Sequence, residues 1–319
     1  MLLACLLCLH ACTRVQPSWH EPSDHNLTIR PATELQATPF FPQTMHQCGP
    51  AALATVLKSY QLDVTPEALS SQLYIPARHG SLQIELVTSA RRHSMLPYQL
   101  DTSLQDLLIE VAAGHHVLVM QNLAVDWWHR WHYAVVIGYD LDSQEIVLRS
   151  GKTERWVTTF AAFENTWQRA GRWALVIVPL GQIPATATLP SYLKTAYAFE
   201  EIGLTREAAR AYHAAVERWP EHPAAWMMLG TSAYANGEYA EAVSALMAAS
   251  RLDPNSAALW NNLAYALHAV GCAEQSNQSL RCAYRMSVDH SNIRDSEQQL
   301  NQRARPARLV AHCPKISCD

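Results

Sequence analysis

From residue 189 onward the chain repeats itself. Tyr192, Trp226 and Trp260 recur at a spacing of 34 residues, as do Gly203, Gly237 and Gly271, and Ala215, Ala249 and Ala283. Pro220 and Pro254 keep the same period. A unit of this length holds two helices and a turn and cannot bury its own apolar face alone. Such units must stack, and three are the usual minimum for a stable stack. The small alanines let paired helices approach closely, and a glycine closes the turn between them.

The middle unit reads Trp226-x2-Leu229-Gly230, then Ala242, Leu246, Ala249 and Pro254. In period and pattern it resembles the tetratricopeptide repeat. That resemblance implies an all-α domain of three repeats over 189–288, able to bind a protein partner. Residues 289–319 open with a polar helical stretch expected to cap the last repeat, and Gly181 to Thr188 reads as a linker.

The part before the linker has a different grammar. Thr65 followed by Pro66 marks a helix start, with Thr as cap and Pro at the first position. Ser81 is expected to cap a further helix carrying Leu82, Leu86 and Ala90, and Ser103 with Asp106 resembles a capping box. Strands are expected at 117–120, 133–137, 146–148 and 173–178, with a helix at 160–169 before the last. Helices first and antiparallel strands after them is an α+β order.

The chemistry centres on Gln43-Thr44-Met45-His46-Gln47-Cys48-Gly49-Pro50-Ala51. Cys48 precedes an apolar run that reads as a helix, and Pro50 suits its first turn. A sulfur at a helix N-terminus meets unpaired N–H groups and the positive end of the dipole, which favour a thiolate. His132 opens a strand, His132-Tyr133-Ala134-Val135-Val136-Ile137-Gly138-Tyr139-Asp140. A helix-start cysteine and a strand histidine form the layout of a papain-like thiol enzyme.

With Phe163-Glu164-Asn165-Thr166-Trp167, these blocks resemble the bacteriocin-processing (double-glycine leader) cysteine peptidase family, over about residues 39–180. The resemblance implies a papain-like domain cleaving a peptide or protein substrate, with Cys48 as nucleophile and His132 as general base and later acid. It makes Gln43 the oxyanion amide, assisted by the Cys48 N–H, with Gln47 as a second candidate. The family carries an Asp where this chain has Ser150. A serine orients an imidazole but stabilises its cation less. Asp140, Asp142 and Asn165 are nearby alternatives. Family members that process leaders are fused to an export ATPase, which is not seen here, so the substrate stays open. The missing Asp also leaves room for a second reading, an inactive papain-like peptide-binding module serving as an envelope scaffold. No metal or cofactor is required.

Trp127-Trp128-His129-Arg130-Trp131 directly precedes His132 and reads either as an aromatic wall beside the cleft or as a loop packed on the sheet edge. His129 and His132 lack a third metal ligand, and His115-His116 reads as structural.

Residues 1–11 form a short apolar stretch, and Leu9-His10-Ala11-Cys12 resembles a bacterial lipobox. The expectation is a lipoprotein signal over 1–11, lipidation at Cys12, a polar tether over 12–38, and an outer-membrane lipoprotein facing the periplasm. Beyond that segment, Cys48 is the odd cysteine. Cys272 and Cys282 stand ten residues apart on one expected helix, about 15 Å, too far to bridge each other. Each should therefore pair with Cys313 or Cys318, in an order left open. A formal charge of −4 and the lack of a basic stripe argue against a nucleic-acid surface.

Overall fold

The computed structural model describes residues 29–43, 47–75, 80–125, 127–303, 310 and 312–318. The expected signal, Cys12 and the tether up to residue 28 lie outside the described residues. The chain divides into two compact units. The first includes Pro97–Ile177, Pro184–Thr186 and the described residues up to His93; the second takes Ser94–Leu96, Val178–Ile183 and the chain from Ala187 on.

Apart from Met95, Leu96, Val178 and Pro179, which fall in the second unit, the first unit carries strand β1 (Ala32–Glu34), helices α1 (Cys48–Ser59), α2 (Pro66–Leu73) and α3 (Gln83–Arg92), strand β2 (Met95–Gln99) and helix α4 (Leu104–Ala112). Strands β3 (Val117–Asn122), β4 (Trp131–Asp140), β5 (Glu145–Ser150) and β6 (Thr153–Thr159), helix α5 (Phe160–Gln168) and strand β7 (Ala174–Pro179) follow. The strand order is β2-β7-β3-β4-β5-β6, and β1 pairs with the far end of β4. Tyr133 to Tyr139 are all buried, so β4 is covered on both faces. α1 and α4 pack on β4, and α5 on β3.

Part of the expected tether is a strand. Thr33 and Glu34 pair with Tyr139 and Gly138, and the Leu35 N–H donates to the Ile137 carbonyl. Gly138 makes this possible, because a Cβ there would stand 2.7 Å from the Thr33 carbonyl oxygen. Three further differences have plain causes. β2 contains Pro97, which argues against a strand in sequence. β6 is largely exposed and shows no apolar alternation. Ser81 does not cap α3, whose N-cap is Leu82; the Ser81 carbonyl instead accepts from the Tyr133 hydroxyl at 3.2 Å. Thr65 and Ser103 do cap, accepting from the N–H groups of Ala68 and Asp106.

Residues 184–186 of the expected linker belong to the first unit. The buried Glu110 carboxylate accepts from the Ala185 N–H, the Thr186 N–H and the Thr186 hydroxyl, and pairs with His115 at 2.6 Å.

The second unit is helical: α6 (Leu189–Glu200), α7 (Thr205–Arg218), α8 (Pro223–Ala235), α9 (Tyr239–Leu252), α10 (Ala257–Ala269), α11 (Ala273–Met286) and α12 (Ser291–Gln302). Gly203, Gly237 and Gly271 take left-handed backbone between the helices of each pair, with φ of 78°, 82° and 81°. The recurring Trp–Pro spacing has a bond behind it: the indole N–H of Trp226 donates to the Pro220 carbonyl, and that of Trp260 to Pro254. Helix α12 lays Ile293 and Leu300 on the last repeat. Two disulfides tie the tail to α11, Cys272 to Cys313 and Cys282 to Cys318.

Candidate active site

Cys48 is the first residue of α1 and a free thiol. The backbone N–H groups of Tyr133, Gly49 and Cys48 itself are directed at its sulfur. Burial nonetheless outweighs them and pushes the thiol above its ordinary range. This corrects the expectation of a thiolate: loss of water costs the anion more than the N–H groups return. Gly49 permits the close fit of this helix start. A Cβ there would lie 2.7 Å from the Ser81 Oγ.

The Tyr133 N–H on the sulfur places the start of β4, the strand that carries His132, near Cys48. The His132 Nε2 is 2.9 Å from the Ser150 Oγ, so Nδ1 is the ring nitrogen outside this bond. Ser150 ends β5, almost fully buried. Burial, and after it the Arg130 charge, pull His132 down to about 4. The resting pair is therefore a neutral thiol and a neutral imidazole. Asp140, at the other end of β4, accepts from the Ser143 N–H, and among the described residues the His132 ring bonds to Ser150.

Gln43 is close by, with both ends of its amide engaged. Its Nε2 donates to the Tyr133 carbonyl at 3.3 Å, and its Oε1 accepts from the Gly151 N–H at 3.2 Å. Its own N–H donates to the Gly151 carbonyl. Tyr133 and Gly151 lie just beyond the last β4–β5 ladder pair, Val135 with Arg149, so Gln43 closes the ladder where the strands part. One amide hydrogen of Gln43 remains beyond this set. Gln47 is the N-cap of α1.

Sequence reasoning missed Gln121. It stands directly opposite His132 in the β3–β4 register, buried, with its Nε2 donating to the Thr166 hydroxyl at 2.6 Å. Only strand register could have found it. The Trp loop proves exposed: Trp127 is 82% and Trp128 65% accessible, which rules out packing on the sheet edge. His116 is structural, held between the hydroxyls of Thr38 and Ser59 and pulled down to about 4, chiefly by burial. Among the described residues no group of three His, Cys, Asp or Glu side chains could hold a metal ion.

A helix-start thiol and a strand-start histidine on an α+β scaffold are the layout of a papain-like domain. Residues 35–175 match the Peptidase_C39 like family, and residues 193–257 and 227–271 match the tetratricopeptide repeat. The first domain is thus a Peptidase_C39-like domain and the second a tetratricopeptide repeat domain. Solved structures similar to this chain include a C39-like peptidase from Bacillus anthracis, 18% identical over 46% of this chain and 97% of that one, with a TM-score of 0.40. The peptidase domain of Streptococcus ComA, a bi-functional ABC transporter involved in quorum sensing, is 16% identical over 44% and 98%, with a TM-score of 0.36. A double glycine motif protease from an AMS/PCAT transporter, in complex with the leader peptide, is 17% identical over 44% and 91%, with a TM-score of 0.33. No curated protein matches the chain significantly.

Proposed function

We propose that the first domain is a cysteine peptidase working through Cys48 and His132, exported and held to the membrane by a lipid on Cys12, with the repeats as a partner-binding arm. The observation that supports this reading is the His132–Ser150 bond at Nε2, which leaves Nδ1 outside that bond. With Nε2 protonated and donating to Ser150, Nδ1 accepts the thiol proton as the sulfur attacks a peptide carbonyl. The new C–S bond places charge on the carbonyl oxygen. The Cys48 N–H and the remaining Gln43 amide hydrogen stabilise that charge. Collapse breaks the C–N bond, and His132 returns the proton to the departing amine. Water, activated by the same imidazole, then hydrolyses the thioester. Export is supported by the two disulfides of the tail, which persist in oxidising compartments.

The test is hydrolysis of a fluorogenic peptide library by the full chain. Cleavage that falls by roughly 10³-fold or more in both Cys48→Ala and His132→Ala is expected. Cleavage unchanged in Cys48→Ala overturns the reading.

One observation favours the second reading, a peptide-binding module without turnover: a neutral Ser150 stands where a carboxylate would stabilise the imidazolium. Under that reading no peptide in the library is cut, while peptides still bind and compete with one another. In either case iodoacetamide labelling of Cys48 rises only towards alkaline pH, since its thiol is held above the ordinary range.

A further inference from the structure

The loop joining β3 to β4 is built around one buried carboxamide. Asn122, fully buried, accepts at Oδ1 from the N–H groups of Ala124 (3.1 Å) and Arg130 (2.9 Å) and donates from Nδ2 to the Val125 carbonyl (3.3 Å). Across the loop the Leu123 N–H donates to the Arg130 carbonyl and the Trp128 N–H to the Val125 carbonyl. The Arg169 guanidinium holds the Asn122 carbonyl from below. Much of the polar backbone of the loop is thus satisfied from within.

What the loop presents outward is aromatic. Trp127 and Trp128 meet edge to face, Trp131 is half exposed and stacks on His129, and Val125 is exposed beside them. Trp167, Trp226 and Trp260 each donate their indole N–H to a carbonyl. Among the described residues, Trp127, Trp128 and Trp131 have no such bond.

We propose that this loop is a membrane-docking element that seats its tryptophans in the interfacial layer of an anionic bilayer. Three physical points select a lipid surface. Tryptophan prefers the headgroup region, where the ring is dry and the N–H meets ester oxygens, and free indole donors suit that layer. The bonds closed within the loop lower the cost of taking that part of its backbone out of water. Arg130 supplies a positive charge for anionic headgroups beside the tryptophans, although the same loop sequence also carries Asp126. The docking also fits an acyl chain on Cys12, because stable anchoring takes two signals rather than one. The segment from Cys12 to Arg30, at most about 3.5 Å per residue, is long enough for both to reach one surface. Trp131 and His132 are adjacent on β4, so docking places the candidate active site next to the lipid surface and favours membrane-proximal polypeptide as its ligand.

The test uses the full chain carrying Cys12→Ser, so that no acyl chain contributes, with vesicles of phosphatidylethanolamine and phosphatidylglycerol. Sedimentation with the vesicles and quenching of tryptophan fluorescence by brominated lipid are expected. In Trp127→Ala/Trp128→Ala the partition should fall about tenfold or more, and Arg130→Gln should weaken binding and reduce its salt sensitivity. Cys48→Ala should bind as the parent does, which separates docking from any peptidase activity. Absence of vesicle binding by the parent overturns the proposal, as does undiminished binding by the double tryptophan variant. If the parent ignores vesicles while the double variant loses peptide binding or cleavage, the tryptophans are assigned to substrate instead.

Discussion

In the first domain, the residues that meet at the site come from distant parts of the chain. Gln43 closes the gap between Tyr133 and Gly151, the Tyr133 N–H reaches the Cys48 sulfur, and His132 reaches Ser150. In the second domain the strongest packing is between helices adjacent in sequence, as in α8 with α9 and α10 with α11. Three of its connections turn on left-handed glycines, and two disulfides bridge residues 41 and 36 apart. Non-local closure creates a pocket where unlike groups are forced together. Local stacking makes a surface that can be lengthened or capped without disturbing the rest.

The largest effect that would sharpen this contrast is reduction of the disulfides. They close loops of 41 and 36 residues, and loop-closure entropy puts each at about 4 kcal/mol. Dithiothreitol should lower the melting of the repeat domain strongly and leave the first domain unchanged, as read by calorimetry. Equal loss in both would break the division.

Acid should do the reverse. His116 and His132 are held at about 4 when folded, against ~6.5 for a free imidazole. Between those values the unfolded chain binds protons that the folded one refuses. Their contribution to stability is full above about pH 6.5 and is lost as pH falls towards 4. The first domain should melt earlier at pH 4.5 than at pH 7, and His116→Gln should flatten part of that slope. A slope unchanged in the variant would remove His116 from the account.

Glycine substitutions probe close packing in each domain. A Cβ on Gly49 would stand 2.7 Å from the Ser81 Oγ, and one on Gly230 2.6 Å from the Leu246 Cγ. Each change to alanine should cost about 1–3 kcal/mol by chemical denaturation. Only Gly49→Ala should also alter the labelling rate of Cys48, because it displaces the helix start that bears the sulfur.

The smallest effect is electrostatic. Arg130 is the secondary cause, after burial, of the low His132 value. Arg130→Gln should raise the His132 titration by a fraction of a pH unit, measured by NMR of the ring, with the Ser150 bond intact. No shift would mean that burial alone sets the value.

The repeats were legible to the level of single turns, because a period of 34 residues, with glycine and alanine in register, admits one kind of stack. The core strands β3, β4, β5 and β7 were also legible from their apolar runs. β1, β2 and β6 were not: one lay in a polar segment, one contained a proline, and one shows mostly exposed side chains. Within the candidate site, Cys48, His132, Gln43 and Ser150 were singled out by motif and by family resemblance. Gln121 was invisible, since only the β3–β4 register places it against His132.

By itself the sequence determined the helix-start cysteine, the strand histidine, the repeat period and the four cysteines of the last repeat and tail, all of which are local patterns. The tertiary structure alone decided the rest. It paired Cys272 with Cys313 and Cys282 with Cys318, buried the thiol and imidazole enough to hold both neutral, and left the tryptophan loop facing outward. Pairing, desolvation and exposure are properties of what surrounds a residue. In this chain those surroundings are assembled from separate segments, as far as 111 residues apart where the Arg149 guanidinium, on β5, holds the Thr38 carbonyl.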